Sequence, residues 1–321
     1  MDSFGDKIAN YLDQGVSLVW GPPLVIALLG TGILLSFLIL GGRGLLQYIG
    51  FKHAIDVVRG KFDDKSDPGQ ISHFQALCTA LSATVGLGNI GGVALAMHIG
   101  GPGATFWMIV VGLIGMVTKY SECTLAVKYR FIDEKGVVHG GPMHYIERGL
   151  GKAWKPLAIF YAVGCMISSF GAGNMFQTNQ VASILETNFD VPTWVSGGAL
   201  AILVGIVIIG GIQRIAQVTS RLVPVMAGLY ILGSLVVIFK HIGLVPDLLM
   251  TILHDAFTGT AAVGGFAGAT FKMVLIQGVR RACFSNEAGM GSAAIAHSAA
   301  ATKEPAREGA VALLEPFIDT V

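Results

Sequence analysis

The chain has 321 residues, 53% of them hydrophobic and only 13% charged, with a formal net charge of +1 and a mean hydropathy of +0.67. That balance excludes an ordinary soluble domain and gives no footing for a nucleic-acid partner; it describes an all-α polytopic membrane protein in contact with membrane lipid. Helices are the economical solution because each satisfies its own backbone hydrogen bonds within hydrocarbon.

Taken in order, the first apolar stretch follows Asp2, Asp6 and Asp13, with only Lys7 for balance. It lacks the basic leader of a cleavable signal peptide and is expected to stay in the mature protein. Spans of about 20 mostly apolar residues are expected near 17–41, 71–99, 104–127, 156–183, 194–212 and 218–239. A seventh segment, 261–301, is too long and too interrupted to be one helix. An eighth runs from Gly309 to Val321, only about 20 Å at 1.5 Å per residue, so the chain reads as C-terminally truncated. Lysines and arginines cluster in 42–70 and 128–155, with Arg214, Arg221, Lys303 and Arg307 in alternate loops, against Lys7 and Lys240 on the opposite side. By the positive-inside rule the N-terminus is outside a cell membrane and the two basic loops are cytoplasmic. Cys78, Cys123, Cys165 and Cys283 fall in or beside apolar segments and read as packing residues, with no disulfide framework or metal cluster expected.

Within the second span, Ser82-Ala83-Thr84-Val85-Gly86-Leu87-Gly88-Asn89-Ile90-Gly91-Gly92 sets four glycines and several polar groups in an apolar run. Glycine costs a helix interior about 1 kcal/mol relative to alanine, and freed backbone groups at membrane depth are tolerated only where they line a cavity or hold something. The letters also spell the dinucleotide pattern G-x-G-x-x-G, but no strand precedes it and residues 106–118 contain no acidic side chain. Helix packing through Gly88 and Gly92 accounts for the glycines but not for Ser82, Thr84 and Asn89.

The seventh segment divides into an apolar part, Ala261 to Gly278, a polar part, Arg280 to Gly291, and an alanine-rich helix, Ser292 to Ala301. Its polar centre is Phe284-Ser285-Asn286-Glu287-Ala288-Gly289. Interrupted helices at matching positions of two halves point to a secondary-transporter site. Half-helix N-termini suit a carboxylate, unwound carbonyls suit Na⁺, and glycine admits close approach, so a small amino acid is the expected substrate. In the fourth span Asn174 and Gln177, three apart, share a helix face; they could join that site or hydrogen-bond between helices. Lys119 stands three residues before Glu122, the spacing of a helical ion pair. Lys272, Arg280 and Arg281 mark either a polar interior or snorkelling side chains. His144 and His297 are isolated and read as packing.

The stretch Gly140-Gly141-Pro142-Met143-His144-Tyr145-Ile146-Glu147-Arg148-Gly149-Leu150-Gly151 resembles the hallmark of the alanine or glycine:cation symporters, with His144 where members often carry an aromatic. Thr118-Lys119-Tyr120-Ser121-Glu122 and Phe284 to Gly289 are similar to further motifs of that family. The resemblance implies a LeuT-type inverted-repeat transporter: an accessory N-terminal helix and loop over 1–70, a complete five-helix repeat over 71–242, and a partial second repeat over 243–321. It implies Na⁺-coupled symport of alanine or glycine by alternating access, with no enzymatic activity and no organic cofactor; an H⁺-coupled transporter or an ion channel built on the same breaks are the alternatives. Carried over by position, substrate contacts fall to Thr84, Gly86, Gly88, Asn89, Phe284, Ser285 and Asn286. Backbone carbonyls of Ser82 and Val85 match two Na⁺ ligands. Asn174 and Gln177 complete the candidate substrate set. The Gly140 to Gly151 stretch itself reads as an elbow between spans.

Overall fold

A computed structural model describes residues 4–39, 46–64, 66–258 and 270–321. The first apolar rod comprises α1 (Phe4–Val19) and α2 (Pro22–Ile39). Pro22 and Pro23 restart the helix after a short turn, using proline where its missing N–H costs nothing. The loop expected over 42–70 carries a helix of its own, α3 (Leu46–Val58). Next, α4 (His73–Thr84) opens on a capping box: Ser72 Oγ accepts from the Gln75 N–H at 3.3 Å, and the Gln75 side chain accepts from the Ser72 N–H at 3.0 Å. After a break comes α5 (Val93–Gly100), then the long α6 (Gly103–Tyr129).

The expected elbow is a small folded unit. The strands β1 (Phe131–Ile132) and β2 (Val138–His139) pair antiparallel with Phe131 opposite His139, and α7 (Pro142–Leu150) follows. His144 sits edge-on to Phe131, with ring centroids 5.3 Å apart, as a packing residue should. Beyond lie α8 (Lys155–Ser168), α9 (Phe176–Phe189), α10 (Thr193–Ile208), α11 (Gly211–Lys240), α12 (Val245–Thr258), α13 (Phe271–Asn286), α14 (Ser292–His297) and α15 (Pro305–Thr320). Residues 259–269, where the seventh expected segment begins, lie outside the described residues.

Among the described residues, Gly5–Ile39, Gly103–Tyr129, Lys152–Phe189 and Gly211–Lys240 are long and apolar enough to cross a membrane, and the α4–α5 pair, bent by 50°, adds a fifth. The protein is therefore multi-pass. Most expected spans coincide with these; the expected 194–212 segment is the shorter α10. The side chains α10 and α11 turn outward, such as Ile202, Leu203, Leu232 and Val236, are apolar and exposed, as a lipid-facing surface requires.

The inner bundle is built on α6, which packs against α2, α12, α13, α14 and α15. Glycine permits the closest of these approaches. A methyl on Gly309 would fall 2.8 Å from the Tyr120 carbonyl, and one on Gly278 would fall 2.7 Å from that of Ala104, so α15 and α13 lie backbone to backbone on α6. Around them Ala96, Ala104, Met108, Val111, Val274, Val279 and Ala282 form one apolar core. The two interrupted helices run side by side and antiparallel: α4 packs on α14, and α5 packs on α13.

The loops rich in lysine and arginine gather at one end of the bundle, the basic end. There Arg130 donates from Nη1 to the carbonyls of Ser298 (2.5 Å) and Ala300 (2.6 Å), and from Nη2 to those of Pro68 (2.7 Å) and Thr302 (2.6 Å). A parallel bridge joins Ile71 to Ala300, and Lys303 pairs with Asp67 at 3.0 Å. The segments from which α4 and α15 start are thereby tied together.

Candidate substrate site between two broken helices

The first break follows the sequence closely. Val85, the last residue whose N–H returns to α4 (Leu81 carbonyl, 2.8 Å), turns extended with ψ 106°. The Gly86 N–H then donates to the Asn89 side-chain oxygen at 2.7 Å instead of back along the helix. That contact leaves the Ser82 carbonyl without its usual helical partner. Helical winding resumes as one π-helical turn over Gly88–Gly92, a widened geometry frequent at functional sites. Thr84 is buried and its hydroxyl donates weakly to the Leu81 carbonyl (3.4 Å), whereas the Ser82 side chain is exposed and bonds to Thr79.

The second break lies later than expected. Phe284, Ser285 and Asn286 are the last turn of α13; the helix is interrupted only at Glu287, in the left-handed region at φ 53°, followed by Gly289 (90°) and Gly291 (76°). Polar side chains alone do not unwind a helix. Left-handed residues do, because they cannot carry the ladder forward. Asn286 caps the break, its side-chain oxygen accepting the Ala288 N–H at 3.0 Å.

The breaks touch. A methyl on Gly88 would stand 3.2 Å from both Cα and Oγ of Ser285, so the first helix presses bare backbone onto the second. A methyl on Gly86 would meet nothing within 4 Å, which leaves an open flank one residue pair away. Asn89 Nδ2 reaches across to Asp319, donating to its carbonyl (2.7 Å) and to Oδ1 (3.0 Å). Asn286 Nδ2 donates to Thr320 Oγ1 at 3.0 Å, and Thr320 in turn donates to Asp319 Oδ2 at 2.8 Å. Ser285 Oγ, buried and lacking a partner of good geometry, faces the same carboxylate.

Asp319 is the functional candidate that reading the sequence missed. It stands near the end of α15 and only 8% exposed, and none of the ion pairs among the described residues includes it. A carboxylate inside a membrane bundle was a usable signal by itself, since buried charge is paired or meets a metal ion. With freed carbonyls and hydroxyls beside it, this arrangement offers hard oxygen donors to a cation and amide groups to a polar solute.

Asn174 and Gln177 are not joined to this ring. They flank the junction of a second π-helical turn, Ser169–Met175, with α9; Asn174 is exposed and accepts from Thr178 at 3.2 Å. Their neighbour Phe176 does reach it, with its ring 6.0 Å from that of Phe284 in an edge-on contact. The basic side chains of the seventh segment divide. Lys272 is exposed, Arg280 Nε donates to the Trp20 carbonyl, and Arg281 is half-buried against Gly92. Lys119 does not take Glu122 as its hydrogen-bonding partner: its Nζ lies 2.9 Å from Glu315 on α15, with both side chains fully buried. Nor is His297 isolated, for its ring meets Glu308 at 2.5 Å.

Known proteins resemble this chain along nearly its whole length. An uncharacterized transporter of Haemophilus influenzae is 46% identical over 98% of this chain and 67% of its own length. A sodium/alanine symporter of Methanococcus maripaludis is 44% identical over 95% of this chain and 66% of its own. An amino-acid carrier protein of Bacillus subtilis is 38% identical over 88% and 61%. The chain thus spans about two thirds of the length of the curated relatives it matches. The sequence profile of the sodium:alanine symporter family matches residues 5–321, from the first rod through both broken helices to the last residue of α15 and beyond, and the chain belongs to that family.

Proposed function

We propose that this chain carries the central site of a cation-coupled symporter for a small neutral amino acid, alanine or glycine, with Na⁺ as the coupled ion. The observation that supports this best is the antiparallel pair of broken helices meeting at Gly88 and Ser285, ringed by Asn89, Asn286 and Asp319. In this reading α4 to α11 form the first repeat of a LeuT-type inverted pair, residues 71–242. Residues 243–321 open the second, after the accessory segment 1–70.

The substrate lies on the open flank of Gly86, against Thr84, Gly88 and Asn89 on one side and Phe284, Ser285 and Asn286 on the other. Gln177 and Asn174 close over it from the fourth span. The Na⁺ ion takes the carbonyls of Ser82 and Val85, which the break releases from the helix ladder. Coupling follows if Na⁺ favours the arrangement that also binds the amino acid, and the linkage is reciprocal. The basic end faces the cytoplasm of the cell membrane, and the N-terminus lies outside.

The test is uptake of labelled alanine into proteoliposomes holding the purified chain, under imposed Na⁺ or H⁺ gradients. Uptake driven by a Na⁺ gradient supports the reading, and uptake indifferent to both gradients ends it.

A further inference from the structure

At the basic end the broken helices meet a second time, through ionisable groups. His73 is the first residue of α4, His297 the last of α14, and Glu308 lies in the first turn of α15 between them. Both oxygens of Glu308 are used: Oε2 faces His73 Nδ1, and Oε1 faces His297 Nδ1 at 2.5 Å. All three side chains are at most 2% exposed. An ionised carboxylate can only accept, so each Nδ1 carries a hydrogen and, in a neutral ring, each Nε2 is a bare lone pair.

For His297 that lone pair points at a second carboxylate. Its Nε2 lies 3.8 Å from Glu315 Oε2, and both atoms are buried without a hydrogen-bond partner. Two acceptors facing each other in a dry interior are a defect that one proton repairs, because Nε2–H⁺ toward Oε2 becomes a charge-assisted pair. The surrounding charge favours it. Glu308 and Glu315 stand against Lys119, the one ammonium inside the cluster among the described residues, with buried Glu122 beside them. Other groups facing it are Cys123 on α6, Tyr145 on α7, Glu287 at the second break and Asp319 further along α15, with Arg130 acting on Glu308 from the rim.

We propose that His73, Glu308, His297 and Glu315 form a proton-binding site that takes one H⁺ on His297 Nε2, and that this proton holds α14 against α15. With the proton in place, α14 is bonded to two carboxylates of α15. Without it, a lone pair and an anion oppose each other, and α14 keeps only its bond to Glu308 and is held more loosely on α15. The inner halves of both broken helices therefore answer to pH at the basic end. Only the consequence for transport rests on the symport reading; proton binding does not.

The experiment uses the full chain in lipid nanodiscs with ¹⁵N-labelled histidine, and His297→Gln to assign the ring. Between about pH 8 and about pH 5, the range in which histidine commonly changes charge, His297 is expected to pass to a ring protonated on both nitrogens. Glu315→Gln should leave its Nε2 bare throughout, while His73→Gln should leave the transition in place. A His297 ring neutral across the range, or unaffected by Glu315→Gln, overturns the proposal. Because Glu315→Gln also strips Lys119 of its partner and could misfold, amide exchange gives a second reading on the unmodified chain. Corrected for intrinsic rates, the amides of α14 should exchange about tenfold faster at the high-pH limit, as expected of a segment that opens locally. The difference should be absent in His297→Gln; protection of α14 that ignores pH overturns the proposal equally. A chain that transports nothing still gives both readouts.

Discussion

In mid-bundle the broken helices meet mainly through neutral groups, the backbone of Gly88 on Ser285 and the amides of Asn89 and Asn286 on the end of α15, where the Asp319 carboxylate accepts from Asn89 without a cationic partner among the described residues. At the basic end they meet through His73, His297, Glu308, Glu315 and Lys119, each at most 2% exposed. The energetic difference is large. A neutral hydrogen bond is worth about 1 kcal/mol net and can be exchanged for one to a ligand. Stripping a buried charge of its partner costs about 3–5 kcal/mol and has no such substitute. The neutral level is therefore where a solute can compete for contacts, and the charged level is where helix positions are held.

Lys119→Met attacks the charged level and should have the largest effect. It leaves Glu315 buried and unpaired, so thermal unfolding in detergent should report a loss of about 3–5 kcal/mol, with most of it restored when Glu315→Leu is added. A loss under about 1 kcal/mol, the size of an exposed pair, would remove the distinction between the levels. At the neutral level Gly88→Val would set its Cβ 3.2 Å from Ser285 and its methyls closer still, so Ser285 must move, a cost of about 1–3 kcal/mol. Gly86→Ala, two residues away and facing open space, should leave stability within about 0.5 kcal/mol yet weaken alanine binding by filling the flank. Equal destabilisation by both would mean that the open flank is not there.

Asn89→Leu comes next. It removes the acceptor of the Gly86 N–H and the donor to Asp319, at about 1–3 kcal/mol for groups left unsatisfied, and binding measured by calorimetry should disappear while the chain stays folded. Retained affinity would move the site elsewhere.

These contrasts also explain what could be read beforehand. The first break was legible because glycines and Asn89 crowd within a few residues, and local crowding is what one sequence displays. The second was placed inside the polar stretch Phe284 to Gly289, but its contacts were assigned to Phe284, Ser285 and Asn286, which remain helical; the unwinding falls on Glu287 to Gly291, and a left-handed Glu287 has no compositional mark. The helices α3 and α12 went unread inside segments too short to span a membrane. The hydrogen-bonding partners of the buried charges were out of reach for another reason. Local spacing offered Glu122 to Lys119 and nothing to His297, whereas the observed partners Glu315 and Glu308 arrive only when α15 packs on α6 and α14. Asp319 was overlooked in the same way: its meaning depends on Asn89, 230 positions earlier.

Gln177 separates binding from architecture most cleanly, because among the described residues no hydrogen bond joins it to the ring. It is half-buried on α9 beside Phe176, whose ring is 6.0 Å from that of Phe284. If it contributes to the site it does so by closing over a bound amino acid, a contact made only in the complex. Gln177→Leu should then leave the unfolding temperature of the free protein unchanged, within the roughly 0.5 kcal/mol usual for a position without structural bonds, and still reduce alanine affinity by about tenfold, the loss of one good hydrogen bond. The stabilisation that alanine confers on the folded chain should shrink with it, since that shift is set by the same binding constant. An unchanged affinity would confine the site to the two broken helices and α15, and would leave the fourth span to shape the wall through Phe176 alone.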